Sequence, residues 1–261
     1  MTQISILRVS HLTPGNPIRN RLILSFMLAL AMAALNGCAP SATIQPPVSN
    51  TIDKAEQSAI NPDAALARLQ DGNQRFVSGG SLHRDYPAQV KATSTGQYPF
   101  AAVLSCMDSR SSPEIVFDQG IGDLFVVRVA GNYATTDIMG SLEYAAKVAG
   151  ARLVVVMGHT ECGAIKGACD DVKLGNLTTV IQALHPAVDD VKDVEGDRTS
   201  KNKKFVLLVT EANIRRTVAK LRSDSPVLND LEKSGQIRIV GAINDISTGQ
   251  VTFYDWDRAH D

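Results

Sequence analysis

The chain has 261 residues, of which 44% are hydrophobic and 20% charged, proportions that exclude an intrinsically disordered or membrane-embedded protein. Its formal net charge of -1 at pH 7 gives no reason to expect a nucleic-acid partner. Four cysteines are too few for a disulfide scaffold of this size and favour metal or thiol chemistry.

The beginning of the chain predicts an export signal. It contains Arg8, Arg19 and Arg21 but no acidic residue, and an apolar run interrupted by one serine follows over residues 22–35. This run is shorter than the roughly 20 residues that span a bilayer, but it matches the roughly 7–15 residues of a signal-peptide core. We expect residues 1–37 to be a signal peptide that the mature protein lacks.

Residues 35–38 read Leu-Asn-Gly-Cys, which resembles the bacterial lipoprotein signal Leu-x-Gly/Ala-Cys. The resemblance implies that Cys38 becomes the lipidated first residue of a periplasmic protein in a Gram-negative bacterium. Ala39, which stands where Asp would retain a lipoprotein in the inner membrane, favours the outer membrane. Secretion without a lipid is the alternative. Residues 38–60 are rich in Pro, Ser, Thr, Gln and Asn and predict a flexible tether.

Residues 61–261 predict a single folded domain. The sequence Asn61-Pro62-Asp63 supplies a capping side chain, a first-turn proline and an early acid, which together predict the start of a helix. Apolar residues recur at helical spacing over residues 138–149. Short apolar runs predict three buried strands, at residues 100–104, 124–129 and 153–157.

The last third of the chain continues this alternation. Residues 205–209 fit either a strand or a buried helix, and periodicity does not choose between them. Apolar runs at residues 237–243 and 251–256 flank a turn and predict a hairpin. We therefore predict an α/β fold: a mostly parallel sheet of about four strands plus a carboxyl-terminal antiparallel edge strand, flanked by helices.

Two short polar segments directly follow two of the predicted strands. In the first, the alternation of an extended chain turns Cys106, Asp108 and Arg110 to one side. In the second, a spacing of three lets His159 and Cys162 converge on one ion. Ligands bind at the carboxyl edge of open parallel sheets, so both segments are expected in one site. Two thiolates and one imidazole leave the fourth tetrahedral position of zinc open, as in catalytic sites.

Cys-x-Asp-x-Arg, followed some fifty residues later by His-x-x-Cys, resembles the signature of β-class carbonic anhydrases, and the likeness extends from about Asp63 to Trp256. The resemblance implies the β-carbonic anhydrase fold and one zinc ion per chain, bound by Cys106, His159 and Cys162. It implies reversible hydration of carbon dioxide to bicarbonate and a proton, through attack by a zinc-bound hydroxide. It also implies a homodimer or homotetramer.

Asp108 and Arg110 are the expected catalytic pair. An ionised carboxylate only accepts hydrogen bonds, so Asp108 can orient the nucleophile by taking its hydrogen. Arg110 can bind that carboxylate through two parallel hydrogen bonds and keep it from occupying the fourth position on zinc. For this reason Asp108 is also counted among the residues of the metal site.

The resemblance extends to the substrate pocket and to the subtype. Gln97 precedes the first zinc cysteine by nine residues, as in the plant enzymes. Phe125, Tyr144 and Gly163 match further pocket positions, and the family's pocket is partly supplied by the neighbouring subunit. Members with bicarbonate-controlled closure carry Trp three residues before that cysteine, where this chain has Val103. The resemblance therefore implies the plant-like, non-allosteric subtype.

Two alternatives use the same residues. Hydrolysis of carbon disulfide or carbonyl sulfide needs the same zinc site, and the residues at the metal do not separate these substrates from carbon dioxide. A non-catalytic zinc-binding surface protein is the alternative from another functional class. The pairing of Asp108 with Arg110 argues against it, because metal storage does not require that pair. The partner expected of the carbonic anhydrase is its small-molecule substrate, carbon dioxide or bicarbonate, and membrane contact is expected only through the lipid.

Overall fold

The structure is a computed structural model that describes residues 46–254 and residue 256. The predicted signal peptide, residues 1–37, and the predicted lipidation site, Cys38, lie outside the described residues. Within the described part of the chain, no helix combines the length and apolarity needed to cross a membrane.

The described residues form five strands, nine α-helices and one π-helical turn. The strands are β1 (Ala101–Ser105), β2 (Leu124–Arg128), β3 (Leu153–His159), β4 (Arg238–Asn244) and β5 (Val251–Tyr254). The α-helices are α1 (Lys54–Ala59), α2 (Pro62–Val77), α3 (Tyr86–Thr93), α4 (Pro113–Val116), α5 (Thr136–Glu143), α6 (Gly163–Cys169), α7 (Leu177–Asp190), α8 (Lys203–Asp224) and α9 (Pro226–Lys233). The π-helical turn, Tyr144–Val148, directly continues α5.

The five strands form one sheet in the order β2-β1-β3-β4-β5. Neighbouring strands from β2 to β4 run parallel, and β5 pairs antiparallel with β4 as the second strand of a hairpin. Every residue of β1 and β3 is buried, as expected for central strands that are covered on both faces. The predicted fold class, including the antiparallel edge strand, is confirmed.

Helices cover both faces of the sheet. Alternation along β1 turns Ala102 and Leu104 toward one core and Ala101 and Val103 toward the other. The first core receives apolar residues of α5, α8 and α9, and the second receives Ala65 and Leu69 of α2. Loops at the carboxyl ends of β1 and β3 therefore project from a rigid, closely packed frame.

Residues 205–209, which the sequence left between strand and helix, belong to α8. The side chain of Asn202 caps this helix by accepting a hydrogen bond of 3.2 Å from the Phe205 amide. Buried residues then recur at helical spacing from Phe205 to Leu221. The segment is therefore apolar because the helix is buried, and the strand alternative is wrong.

The flexible tether predicted over residues 38–60 does not extend that far. Residues Lys54–Ala59 form α1, and the buried side chain of Gln57 fixes this helix to the domain. Its amide donates hydrogen bonds to the carbonyl oxygens of Pro99, at 2.7 Å, and Ala149, at 2.8 Å. The anchoring contact is polar, so a search for apolar periodicity does not reveal it. The folded domain accordingly begins before residue 61.

Candidate metal and active site

The three predicted ligands converge at the carboxyl edge of the sheet. Cys106 directly follows β1, His159 ends β3 and Cys162 immediately precedes α6. The Sγ atoms of Cys106 and Cys162 are 3.9 Å apart, and a ring nitrogen of His159 completes a cluster whose atoms lie within 4.8 Å of one another. All three side chains are buried. They meet because β1 and β3 are parallel neighbours that end at the same edge.

The His159 ring is oriented for coordination. Its Nδ1 donates a hydrogen bond of 2.9 Å to the carbonyl oxygen of Thr160, a tautomer assigned from that contact. This leaves the lone pair on Nε2, which is buried and has no hydrogen-bond partner among the described residues. A buried acceptor beside two sulfurs is unfavourable unless something binds it. The donor set fits zinc, which accepts thiolate and imidazole ligands.

The sulfurs of Cys106 and Cys162 are close enough for one thiol to donate a hydrogen bond to the other. A hydrogen bond from the Cys162 thiol lowers the pKa of Cys106 to about 4, against the opposing effect of burial. The same hydrogen bond, together with burial, raises the pKa of Cys162 well above its ordinary value. Burial, the largest single influence, lowers the pKa of His159, but the nearby negative charges of Cys106 and Asp108 and the contact with the Thr160 carbonyl act together against it, and the net shift is upward. The site therefore concentrates negative charge where a cation would bind.

Asp108 and Arg110 form a closed pair beside this cluster. The guanidinium donates from Nε to Oδ1 at 2.9 Å and from its terminal nitrogen to Oδ2 at 2.8 Å, and the Arg110 amide adds a third bond of 3.0 Å to Oδ1. The Arg110 side chain thereby holds the pKa of Asp108 well below its usual range. Oδ2 lies 3.8 Å from Nε2 of His159, so the carboxylate reaches the metal cluster.

Arg128 supports the loop that carries these residues, a role that the sequence did not reveal. Its Nε donates to the carbonyl oxygen of Cys106 at 3.0 Å, and a terminal nitrogen donates to that of Asp108 at 2.6 Å. The signal that could have identified Arg128 is its position: it ends β2, opposite Ser105, the last residue of β1. An arginine there fixes the backbone on both sides of Met107.

Asn244 joins the two polar segments and was also missed. Its side-chain Nδ2 donates to Oγ of Ser111 at 3.0 Å, and its backbone carbonyl oxygen accepts from the Thr160 amide at 3.0 Å. Ser111 in turn donates its amide to the carbonyl oxygen of Asp108 at 3.0 Å. The side chains of Asn244 and Ser111 are both buried. The indication in the sequence was a polar residue at the end of a buried strand, beside His159 in the sheet.

The predicted pocket residues do not all lie at the same end of the parallel strands. Gly163 directly follows Cys162 and lies beside the metal ligands. Gln97 is exposed in the loop before β1, at the opposite end of that strand. Phe125 pairs with Ala102, so four residues, or about 13 Å along the strand, separate it from the level of Cys106. Within one chain, Gln97 and Phe125 therefore lie away from the ligands.

Tyr144 lies with Phe125 and not with the metal cluster. The two rings pack edge to face with their centroids 6.1 Å apart, and Tyr144 is 52% exposed. They line a hollow of about 580 Å³ between β2 and α5 that contains none of the three ligands. The structure of one chain thus provides a cluster of three candidate metal ligands and a separate aromatic hollow.

Comparison with known proteins gives consistent matches. A family model described as carbonic anhydrase matches residues 101–251. Carbonic anhydrase 2 of Mycobacterium tuberculosis is 34% identical over 201 residues, covering 75% of this chain and 94% of the relative. The carbonic anhydrase of Mycolicibacterium smegmatis is 35% identical over 197 residues, covering 73% and 92%. The solved structure of the β-carbonic anhydrase CcaA superposes with a TM-score of 0.58 at 26% identity, covering 73% of this chain and 87% of that one.

Proposed function

The chain belongs to the β-class carbonic anhydrase family and hydrates carbon dioxide, and we propose that it does so at one zinc ion held by Cys106, His159 and Cys162. The observation that carries the proposal is the buried, unpaired Nε2 of His159 beside two sulfurs that are 3.9 Å apart. Three protein ligands leave one tetrahedral position open. Zinc, when bound, supplies a Lewis acid that lets water ionise near neutral pH.

The residues of the chain contribute to the chemistry by orienting the attacking oxygen. Asp108, kept ionised by Arg110, offers only acceptor oxygens, so it takes the hydrogen of the attacking oxygen and turns a lone pair toward the carbon of carbon dioxide. Arg110 occupies both carboxylate oxygens and so opposes direct ligation by Asp108. The contacts of Arg128 with this loop keep the pair in place before substrate arrives.

Metal analysis and stopped-flow hydration of carbon dioxide test this proposal together. Wild-type protein is expected to hold one zinc per chain, and Cys106→Ser and His159→Ala to lose both the metal and the activity. The matched control is Cys169→Ser, because Cys169 is a cysteine outside the cluster and should keep both. Full zinc content in a ligand variant would remove that residue from the set. Zinc-loaded wild type without hydration activity would overturn the function.

The active site, we propose, is completed by a second copy of the chain. Phe125 and Tyr144 lie in a hollow apart from the ligands, and Tyr144 leaves half of its surface exposed. β2, which forms one wall of this hollow, is an edge strand of the sheet. A homodimer or homotetramer would place this aromatic surface, and Gln97, against the metal cluster of another subunit.

Subunit mixing tests the composite site. A His159→Ala chain and a Tyr144→Ala chain are each expected to be nearly inactive when assayed alone. If the pocket is shared, co-assembled mixed dimers have one intact site, which gives about a quarter of wild-type activity after random mixing in equal amounts. Activity of the mixture that equals only the sum of the separate variants would place both residues in the same chain's site and overturn the shared pocket.

The subtype is proposed to be plant-like and non-allosteric. Val103 occupies the position of the regulatory Trp and is fully buried in β1, packed in the core that α2 covers. A small apolar side chain there provides no indole N–H for an anion. The hydration rate is therefore expected to decline with bicarbonate only as product inhibition requires. A sigmoidal dependence on bicarbonate would contradict the assignment.

Export and lipidation through Cys38 are proposed from the sequence alone, on the arginines, the apolar run and the Leu-Asn-Gly-Cys motif. A labelled fatty-acid analogue should mark the wild type in the outer-membrane fraction of a Gram-negative host. Cys38→Ala should remain unlabelled and appear in soluble fractions or as precursor. Equal labelling of both proteins would exclude lipidation at this residue.

A further inference from the structure

We infer that Asn213, in the middle of α8, is a positioning residue for the Cys106 sulfur and acts through the turn that contains Gly131. Asn213 is separated from Gly131 by 82 positions in the sequence and lies outside both metal-binding segments. The inference rests on the proposed metal site and adds to it a residue that reaches no ligand directly.

Two hydrogen bonds connect Asn213 to the sulfur. The backbone amide of Gly131 donates to Sγ of Cys106, with a nitrogen–sulfur distance of 3.4 Å. The carbonyl oxygen of Gly131 accepts from Nδ2 of Asn213 at 2.7 Å. Cys106, Gly131 and Asn213 are all buried. Gly131 thus accepts a hydrogen bond from the Asn213 side chain through its carbonyl oxygen and donates one to the Cys106 sulfur through its amide.

The turn needs such support because its backbone is in an uncommon conformation. Gly131 has φ of +79° and Asn132 has φ of +42°, so two consecutive residues occupy the left-handed region. A Cβ on Gly131 would lie 2.7 Å from Cδ1 of Leu184, so the position is also too crowded for a side chain. The Asn132 amide closes the turn onto the Val129 carbonyl at 3.0 Å. The Asn213 bond ties this turn to α8.

The position of the turn matters for a thiolate ligand. An N–H donor stabilises negative charge on sulfur and fixes the direction in which the remaining lone pairs point. Without the Asn213 amide, the buried carbonyl of Gly131 loses its partner, and the turn must move to find another. Such movement carries the Gly131 N–H away from Cys106. Loss of an outer hydrogen-bond partner of this kind weakens metal binding about 10–100-fold.

The experiment compares metal binding in full-length wild type, Asn213→Asp and Asn213→Ala. Asp keeps the shape of Asn and, when ionised, has no hydrogen to donate, whereas Ala removes the donor at every pH and introduces no charge. Zinc dissociation constants come from chelator competition, and cobalt-loaded protein reports sulfur-to-metal charge transfer. We expect zinc to bind about 10–100-fold more weakly in both variants and the charge-transfer band to move to lower energy, because the sulfur loses a donor.

The matched control is Thr210→Val, one turn earlier on the same helix. Thr210 is buried, and its hydroxyl donates to the Val206 carbonyl within α8 at 2.8 Å, so the substitution removes a buried hydrogen bond without touching the turn. Its zinc affinity and cobalt spectrum should match wild type. A general loss of helix stability would instead affect Thr210→Val and the Asn213 variants alike, and that result would overturn the positioning role.

Two further outcomes separate the inference from the proposed metal site. If wild type binds zinc and both Asn213 variants bind it within twofold of wild type with unchanged cobalt spectra, Asn213 has no positioning role. If wild type binds neither zinc nor cobalt, the metal site itself is wrong and the inference fails with it.

Discussion

Removal of zinc followed by hydrogen peroxide is expected to join Cys106 and Cys162 in a disulfide that zinc alone cannot reverse. Their sulfurs are 3.9 Å apart, so bond formation at about 2.05 Å requires a closure of about 1.9 Å. The cysteines are 56 positions apart, and closing a loop of that length restricts the unfolded chain by about 4 kcal/mol. The oxidised protein should therefore be stable as well as inactive.

The electronic state of the metal-free pair favours the reaction. With its pKa lowered to about 4, Cys106 is a thiolate at neutral pH and attacks the peroxide, giving a sulfenic acid and hydroxide. The Cys162 thiol then displaces the hydroxyl group as water and forms the disulfide. Both sulfurs are buried, so the oxidant must be small. Zinc bound as proposed would engage both thiolates and should protect them.

The assay combines mass spectrometry with reactivation. Chelated and oxidised protein is digested without reductant, and a cross-linked Cys106–Cys162 peptide pair is expected, absent from the zinc-loaded sample. Zinc alone should restore no activity, whereas zinc with a reductant should restore it. A Cys169→Ser variant controls for reaction at the spare thiol and should behave identically. Free thiols at both positions, together with full recovery on zinc alone, would refute the reasoning.

Three further predictions follow from single sites. Asp108→Asn should keep its metal but lose about 10²–10³-fold in kcat/KM, since an amide donates as well as accepts; equal activity in stopped-flow assays would contradict the orienting role. Gly72→Ala should lower the free energy of unfolding by about 2 kcal/mol or more in urea titrations, because its Cβ would lie 1.8 Å from the Phe117 carbonyl oxygen. Gly140→Ala should raise it by about 0.5–1 kcal/mol, because its Cβ would meet no described atom within 4 Å beyond the neighbouring backbone of its own helix; the reverse order would be inconsistent with this packing. Burial raises the pKa of Cys169 from 9.0 to about 11. At pH 8 the native protein should therefore carry about 100-fold less Cys169 thiolate than the unfolded chain and be alkylated at this residue correspondingly more slowly. The difference in alkylation rate should diminish as the pH rises toward 11.

Local patterns were sufficient for much of the fold. Continuous apolar runs predicted β1 and β3 because central parallel strands are buried on both faces. The start of α2 was also predicted, because Asn61 caps it by accepting from the Ala64 amide at 2.8 Å, a contact between near neighbours in sequence. Residues 205–209 resisted prediction because a buried helix and a buried strand are equally apolar over five residues.

The convergence of the three candidate ligands could be predicted because they follow adjacent parallel strands, and two short spacings suffice to bring them to one edge. The residues that hold the cluster could not. Arg128, Asn213 and Asn244 reach the site from other elements across gaps of 20 to 133 positions, and a polar side chain that bonds across such a gap has no sequence pattern until its partner is known.

The sequence alone was enough to predict the residues of the candidate metal cluster, the fold class and the family, because each depends on residues close together along the chain or on the periodicity of one element. Tertiary structure alone decided that α1 belongs to the folded domain, through the two hydrogen bonds of Gln57. It also decided that Phe125 and Tyr144 lie apart from the ligands of their own chain. Both findings concern how separate elements are placed relative to one another. That placement depends on the register of the strands and the packing of the helices, which no local pattern encodes.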